Sequence, residues 1–186
     1  GVIEEVLGLA DDEHAAVDVV IARHKLETVF SEGALADAAA ATLDAEGALA
    51  AGYRDLRDRF TFTIDPADAK DFDDALSLDY LEEEGLWRLG VHIADVSHYV
   101  RPGSALGSSV DLDARRRATS VYLADRVIPM LPPALSDELC SLAPGAERRS
   151  MTADLFLNDE GELVRFSLYP ALIRSDARLS YGEADD

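Results

Sequence analysis

The sequence predicts an α+β fold, a mixed and mainly antiparallel β-sheet with flanking helices, and three observations carry that expectation. Up to about Gly52 the chain is acidic and alanine-rich, with apolar residues at helical spacing. From Phe60 onward, short runs of β-branched and aromatic residues take over. Two pairs of such runs face each other across turn signals: "DALSLDYL" with "LWRLGVHIADV" across "EEEG", and "MTADLFL" with "ELVRFSLYPALIRS" across "NDEG".

In chain order, "VIEEVLGL" (2–9) reads as a short strand. A helix follows near Ala15–Lys25, with Val17, Val20 and Ile21 on one face. A second helix is expected from Ala34 to Ala50, closed by Gly52. This places residues 1–52 as a connector and 53–186 as the main domain. "FTFTI" is the first strand of that domain and the two hairpins supply four more. Between the hairpins, "RPGSALGSSVDLDA" is expected as a loop leading into an arginine-bearing helix or turn, and "TSVYLADRVIP" as one strand.

At 186 residues and 20.1 kDa the chain is long enough for a substantial core, and 48% apolar composition is ordinary for a globular fold. The net charge of -20 therefore belongs to surfaces or sites rather than to wholesale disorder. Only residues 101–150 are not acidic, so a polyanion contact is expected first among Arg101, Arg115, Arg116, Arg117, Arg126, Arg148 and Arg149. Cys140, the single cysteine, is expected as a small buried side chain, which fits a reducing compartment. No basic leader and no apolar run of about twenty residues is present, so the expectation is a cytoplasmic protein with no membrane partner.

"TIDPADAKDFDDA" (63–75) gathers Asp65, Asp68, Asp71, Asp73 and Asp74. Two carboxylates 4 Å apart repel by about 4 kcal/mol at an effective dielectric of 20. Such a group needs a cation, protons or ample water. All-oxygen ligands select Mg²⁺, Mn²⁺ or Ca²⁺ over zinc or copper. A helix-loop-helix calcium loop is excluded, because counting from Asp71 puts Ala75 and Leu76 where an acid and a glycine are required. Spacing alone leaves a hard-cation site and a solvated acidic turn level with each other.

Longer blocks carry a resemblance. "RDLRDRFTFTIDPADAKDFDDALSL", "WRLGVHIADVSHYVRPGSAL", "ATSVYLADRVIPMLPPALSDELCSLAPGAERRSMTADLFL" and "ALIRSDARLSYGEA", in this order, resemble the RNB catalytic domain of the ribonuclease II / ribonuclease R exoribonucleases. The resemblance covers roughly Arg54 to Ala184, the N-terminal half of such a domain. It implies a hydrolytic 3′→5′ exoribonuclease that degrades single-stranded RNA to 5′-nucleoside monophosphates. It further implies that Asp65, Asp71, Asp73 and Asp74 hold two Mg²⁺ ions (Mn²⁺ being possible), with Asp73 central. Tyr122 then stacks on the 3′-terminal base, and Arg126 belongs to the RNA contact. Asp68 is expected as a turn residue beside Pro66, Lys70 as a charge offset, and His92 and His98 as hydrogen-bonded core residues with Asp95 as one acceptor.

Two departures accompany the resemblance. "GSSV" (107–110) is an apparent insertion, expected to lengthen a surface loop. The second half of an RNB domain and the flanking RNA-binding modules lie outside this sequence and are expected in the parent protein. Two other readings follow: a truncated, non-catalytic RNA-binding or scaffolding piece, and a divalent-cation-binding module.

Overall fold

The structure is a computed structural model that describes residues 13–103 and 107–185. The expected strand at 2–9 lies outside them. Helix α1 (Glu13–His24) matches the first predicted helix. The second is broken: α2 (Glu32–Ala40) and α3 (Ala45–Ala50) are separate, because Asp44 in an extended conformation accepts the Gly47 N–H at 2.8 Å and starts a new helix. Alanine density signals helix throughout this stretch, but an internal cap overrides it.

The strands are β1 (Arg54–Asp55), β2 (Phe62–Asp65), β3 (Asp74–Leu81), β4 (Leu86–Ala94), β5 (Val121–Tyr122), β6 (Val127–Ile128), β7 (Glu147–Leu157), β8 (Leu163–Arg174) and β9 (Ala177–Ser180). Seven form one sheet in the order β1-β8-β7-β4-β3-β2-β9, with both predicted hairpins in place. Its five interior strands, β8, β7, β4, β3 and β2, pair antiparallel with one another, and only the edge pairs β1–β8 and β2–β9 are parallel. "TSVYLADRVIP" is not one strand but the two-residue strands β5 and β6, paired with each other. Nor is "GSSV" loop: helix α5 (Ser108–Arg117) begins at its second residue, with Gly107 at φ 90° as the cap. Short helices α4 (Val96–Tyr99) and α6 (Tyr181–Asp185) and a π-type turn at Ala134–Leu139 complete the chain. Among the described residues no helix is long and apolar enough to cross a membrane.

The chain forms two compact units. One comprises the described residues up to Ala39 with Val100–Pro132, and the other Ala40–Tyr99 with Pro133–Asp186. The second holds the large sheet. Its core includes Phe72, Ala75, Leu135, Cys140, Leu142, Leu172 and Ile173. One sheet face is unusually polar: Ser77, His92, Thr152 and Asp154 are all buried. His92 sits between the hydroxyls of Ser77 (3.0 Å) and Thr152 (2.9 Å), so its partners are these and not Asp95. Asp95 instead accepts the Tyr53 hydroxyl, the Ser97 hydroxyl and the His98 backbone N–H. On the opposite face Leu78, Ile93, Met151, Phe166 and Leu168 remain exposed.

Candidate metal centre

The aspartate segment is a detour between two neighbouring strands. Strand β2 ends at Asp65, and Pro66, which has no N–H to donate, ends the ladder there. Ala67 and Asp68 form a turn closed by the Ala69 N–H to the Pro66 carbonyl at 3.0 Å, with Asp68 exposed as expected. Phe72 then buries its ring. Its N–H goes to the Ser141 hydroxyl at 3.2 Å, and its carbonyl accepts the Leu142 N–H at 2.8 Å. The Asp73 carbonyl accepts from Ala94 at 2.9 Å, and β3 begins at Asp74 opposite Ile93. Phe62 faces Leu76 in the antiparallel pair. Asp65 closes β2 and Asp74 opens β3, so the two lie at the same end of this antiparallel pair. Asp65, Asp73 and Asp74 therefore gather at one end of the sheet because an antiparallel ladder returns the chain to where it left.

Their charges act on one another. The carboxyl of Asp73 is raised above the usual aspartate range, first by the protein atoms crowding it and then by Asp71, Asp74 and Asp65. Its side chain still has an open face, so water screens part of that effect. Asp65 is also raised, by burial first; the Thr63 hydroxyl opposes this, Asp74 adds to it, Arg178 opposes it and Asp71 adds again. Asp68 appears in neither set. Asp65, Asp71, Asp73 and Asp74 are thus the four that form one electrostatic group.

This group fits a hard divalent cation in its donors. One carboxylate oxygen of Asp65, Oδ2, is buried with no hydrogen bond of ordinary geometry, an uncommon state for a carboxylate oxygen. The raised carboxyls of Asp65 and Asp73, pushed up by burial first and by neighbouring carboxylates next, are what a cation would relieve. Among the described residues, however, no three or more His, Cys, Asp or Glu side chains are placed so that they could hold a metal ion as they stand. The aspartates are coupled neighbours, and side-chain rotation would have to complete a coordination shell.

Tyr122 and Arg126 belong to the other compact unit. The Tyr122 ring is 71% exposed on β5. Arg126 lies one residue before β6 and is engaged by Asp125 at 2.7 Å and Asp18 at 3.2 Å. The arginine block is largely committed to the chain itself. Arg116 pairs with Asp113 and Glu27, and Arg117 donates to the Glu27 and Pro129 carbonyls and stacks on Phe30. In the sheet unit, Arg149 donates to the Asp44 carbonyl and stacks on Tyr53, while Arg148 donates to the Ser141 carbonyl. Cys140 is buried and its thiol is pushed up to about 12, first by burial, so it is inert as expected.

Sequence reasoning missed three features. Arg59 crosses the polar sheet face to Asp154 (2.7 Å), which also accepts the Tyr169 hydroxyl. Ser141 and Arg178 hold the aspartate detour from elsewhere in the chain. Nothing in periodicity or spacing links residues 66–72 with 141 or 178, because only the folded chain makes them neighbours.

Comparison with known proteins follows the same geometry. The family model described as the RNB domain matches residues 53–186. A relative from Thermotoga maritima named Ribonuclease R is 43% identical over 186 residues, covering 99% of this chain and 26% of its own length. The solved structure of Mycoplasma genitalium RNase R with ribose-methylated single-stranded RNA superposes with a TM-score of 0.88 at 31% identity, covering 97% of this chain and 27% of that one. Yeast Ssd1, described as a pseudonuclease, gives a TM-score of 0.66 at 27% identity over 77% of this chain and 17% of its own. The chain therefore spans about a quarter of the length of the Ribonuclease R relatives it matches.

Proposed function

We propose that this chain, which belongs to the RNB domain family, is part of a Mg²⁺-dependent hydrolytic exoribonuclease that shortens single-stranded RNA from its 3′ end and releases 5′-nucleoside monophosphates. The single observation that carries this reading is the coupling of Asp65, Asp71, Asp73 and Asp74 at one end of the sheet. Relatives named Ribonuclease R, one of them solved with ribose-methylated single-stranded RNA, support it. Complete activity is a property of the parent polypeptide, since this chain covers only about a quarter of such relatives.

When bound, two Mg²⁺ ions would supply the positive charge that activates water and offsets charge developing on the departing 3′-oxygen. The residues of this chain hold and orient. Asp65, Asp71, Asp73 and Asp74 are the oxygen ligands, with Asp73, which feels the other three, at the centre. The open ring of Tyr122 offers a stacking platform for a terminal base, worth about 1–3 kcal/mol without sequence preference. Arg126 can meet a phosphate only by exchanging Asp125 or Asp18 for it. The net charge of -20 disfavours tight RNA binding by this part alone, because phosphate contacts supply most non-specific affinity.

The test uses the parent polypeptide with 5′-labelled single-stranded RNA and Mg²⁺. Stepwise shortening is expected, with Asp73→Asn abolishing it while RNA binding persists. Turnover unchanged in that variant would remove the aspartates from the mechanism. A non-catalytic RNA-binding role is the second reading, favoured by the likeness to a protein described as a pseudonuclease. It predicts RNA binding with no shortening in the unaltered protein.

A further inference from the structure

The detour that carries the aspartates has little reason to hold its shape unaided. From Pro66 to Asp73 the chain leaves the sheet, opens on four small or turn-forming residues (Pro66, Ala67, Asp68 and Ala69), and makes one internal backbone hydrogen bond, Ala69 to Pro66. It is nevertheless fixed at both ends by side chains from distant parts of the sequence. At its start, one guanidinium nitrogen of Arg178 donates to the Pro66 carbonyl at 3.0 Å and the Ala67 carbonyl at 2.5 Å. The same guanidinium lies over the Phe72 ring, 5.0 Å from its centre. At its end, the buried Ser141 hydroxyl donates to the Lys70 carbonyl at 3.0 Å and accepts the Phe72 N–H at 3.2 Å. Arg178 sits on β9 directly beside β2, facing Thr63, two residues before the Asp65–Ser180 pair.

We propose that Arg178 is a positioning residue for the divalent cation: with Ser141 it clamps residues 66–72 so that Asp65 and Asp71 are presented together with Asp73 and Asp74. The inference rests on the cation reading above. One guanidinium nitrogen reaches both carbonyls while the planar group lies over the Phe72 ring, and that planar contact is what a lysine ammonium does not reproduce. Ligand-orienting groups of this kind change metal affinity by about 10–100-fold when removed.

Two measurements on this chain test it. In calorimetric titration with MgCl₂, Arg178→Met is expected to weaken Mg²⁺ binding at least about tenfold, with Arg178→Lys falling short of full recovery. An Arg178→Met protein that binds Mg²⁺ as the unaltered chain does would overturn the clamp. No binding by the unaltered chain would instead overturn the cation reading, and the clamp's role with it. Hydrogen exchange without metal supplies the structural readout. In Arg178→Met, and in Ser141→Ala, the Ala69 and Phe72 amides should exchange at least about tenfold faster while β7 and β8 amides are unchanged. Unaltered protection at Ala69 and Phe72 overturns the proposal, and uniform loss across β7 and β8 does so too, by making Arg178 a residue of the whole fold.

Discussion

Arg59 places Nη1 2.7 Å from Oδ1 of Asp154, with only 10% and 5% of the two side chains exposed. This ion pair ties the chain segment between β1 and β2 to the middle of the sheet. Burial acts against ionisation of Asp154, but the Arg59 guanidinium and the Tyr169 hydroxyl hold its carboxyl below the usual range. Breaking the pair from one side leaves the other charge buried and unpaired. Arg59→Met or Asp154→Leu should each cost about 3–5 kcal/mol in urea unfolding, and the double variant should lose clearly less than the two together. Additive losses would show that the pair is not coupled.

His92 gives the fold an acid sensitivity that can be assigned. Burial first, and the Arg59 charge second, push its imidazole down to about 4 from 6.5. The unfolded chain takes up this proton as pH falls through about 6.5, whereas the folded one refuses it until about 4. Its contribution is therefore complete above about pH 6.5 and is lost progressively down to about pH 4, on the order of 3 kcal/mol in all. The stability gap between the unaltered chain and His92→Gln should narrow between pH 7 and pH 4. By NMR the His92 ring should not titrate between pH 7 and 5.

Asp73 should show opposite effects on stability and on chemistry. Burial first, and then the carboxylates around it, raise its pKa, so both disfavour its charged form in the absence of a cation. Asp73→Asn removes that repulsion and should raise Tm in EDTA, even though the same change is expected to abolish RNA shortening by the parent polypeptide. A lower Tm in EDTA would mean that the Asp73 carboxylate contributes to the fold itself.

Leu168 and Leu172 are four residues apart on the same face of β8, yet one is 65% exposed and the other fully buried. Leu172 lies opposite the buried Arg149. Leu172→Ala should cost about 2–5 kcal/mol and Leu168→Ala less than about 0.5 kcal/mol in thermal or urea unfolding of this chain.

The sequence by itself determined the two long hairpins, since period-two alternation across "EEEG" and "NDEG" is a local signal that sheet pairing only completes. It also determined which five aspartates share a segment, and block resemblance singled out four of them as candidate cation ligands. Other local signals were outweighed. Asp44 splits the alanine-rich helix because a side-chain cap competes with propensity, and "TSVYLADRVIP" yields only two-residue strands. Only the tertiary structure decided that the end of β2 at Asp65 meets the start of β3 at Asp74, that His92 is satisfied by Ser77 and Thr152, and that Arg178 and Ser141 hold the loop between the acids. All but the Ser141 contact depend on strand register between residues far apart in the chain. A register is set by the sheet as a whole, through which face is buried and which ladder closes, and no local window of residues contains it.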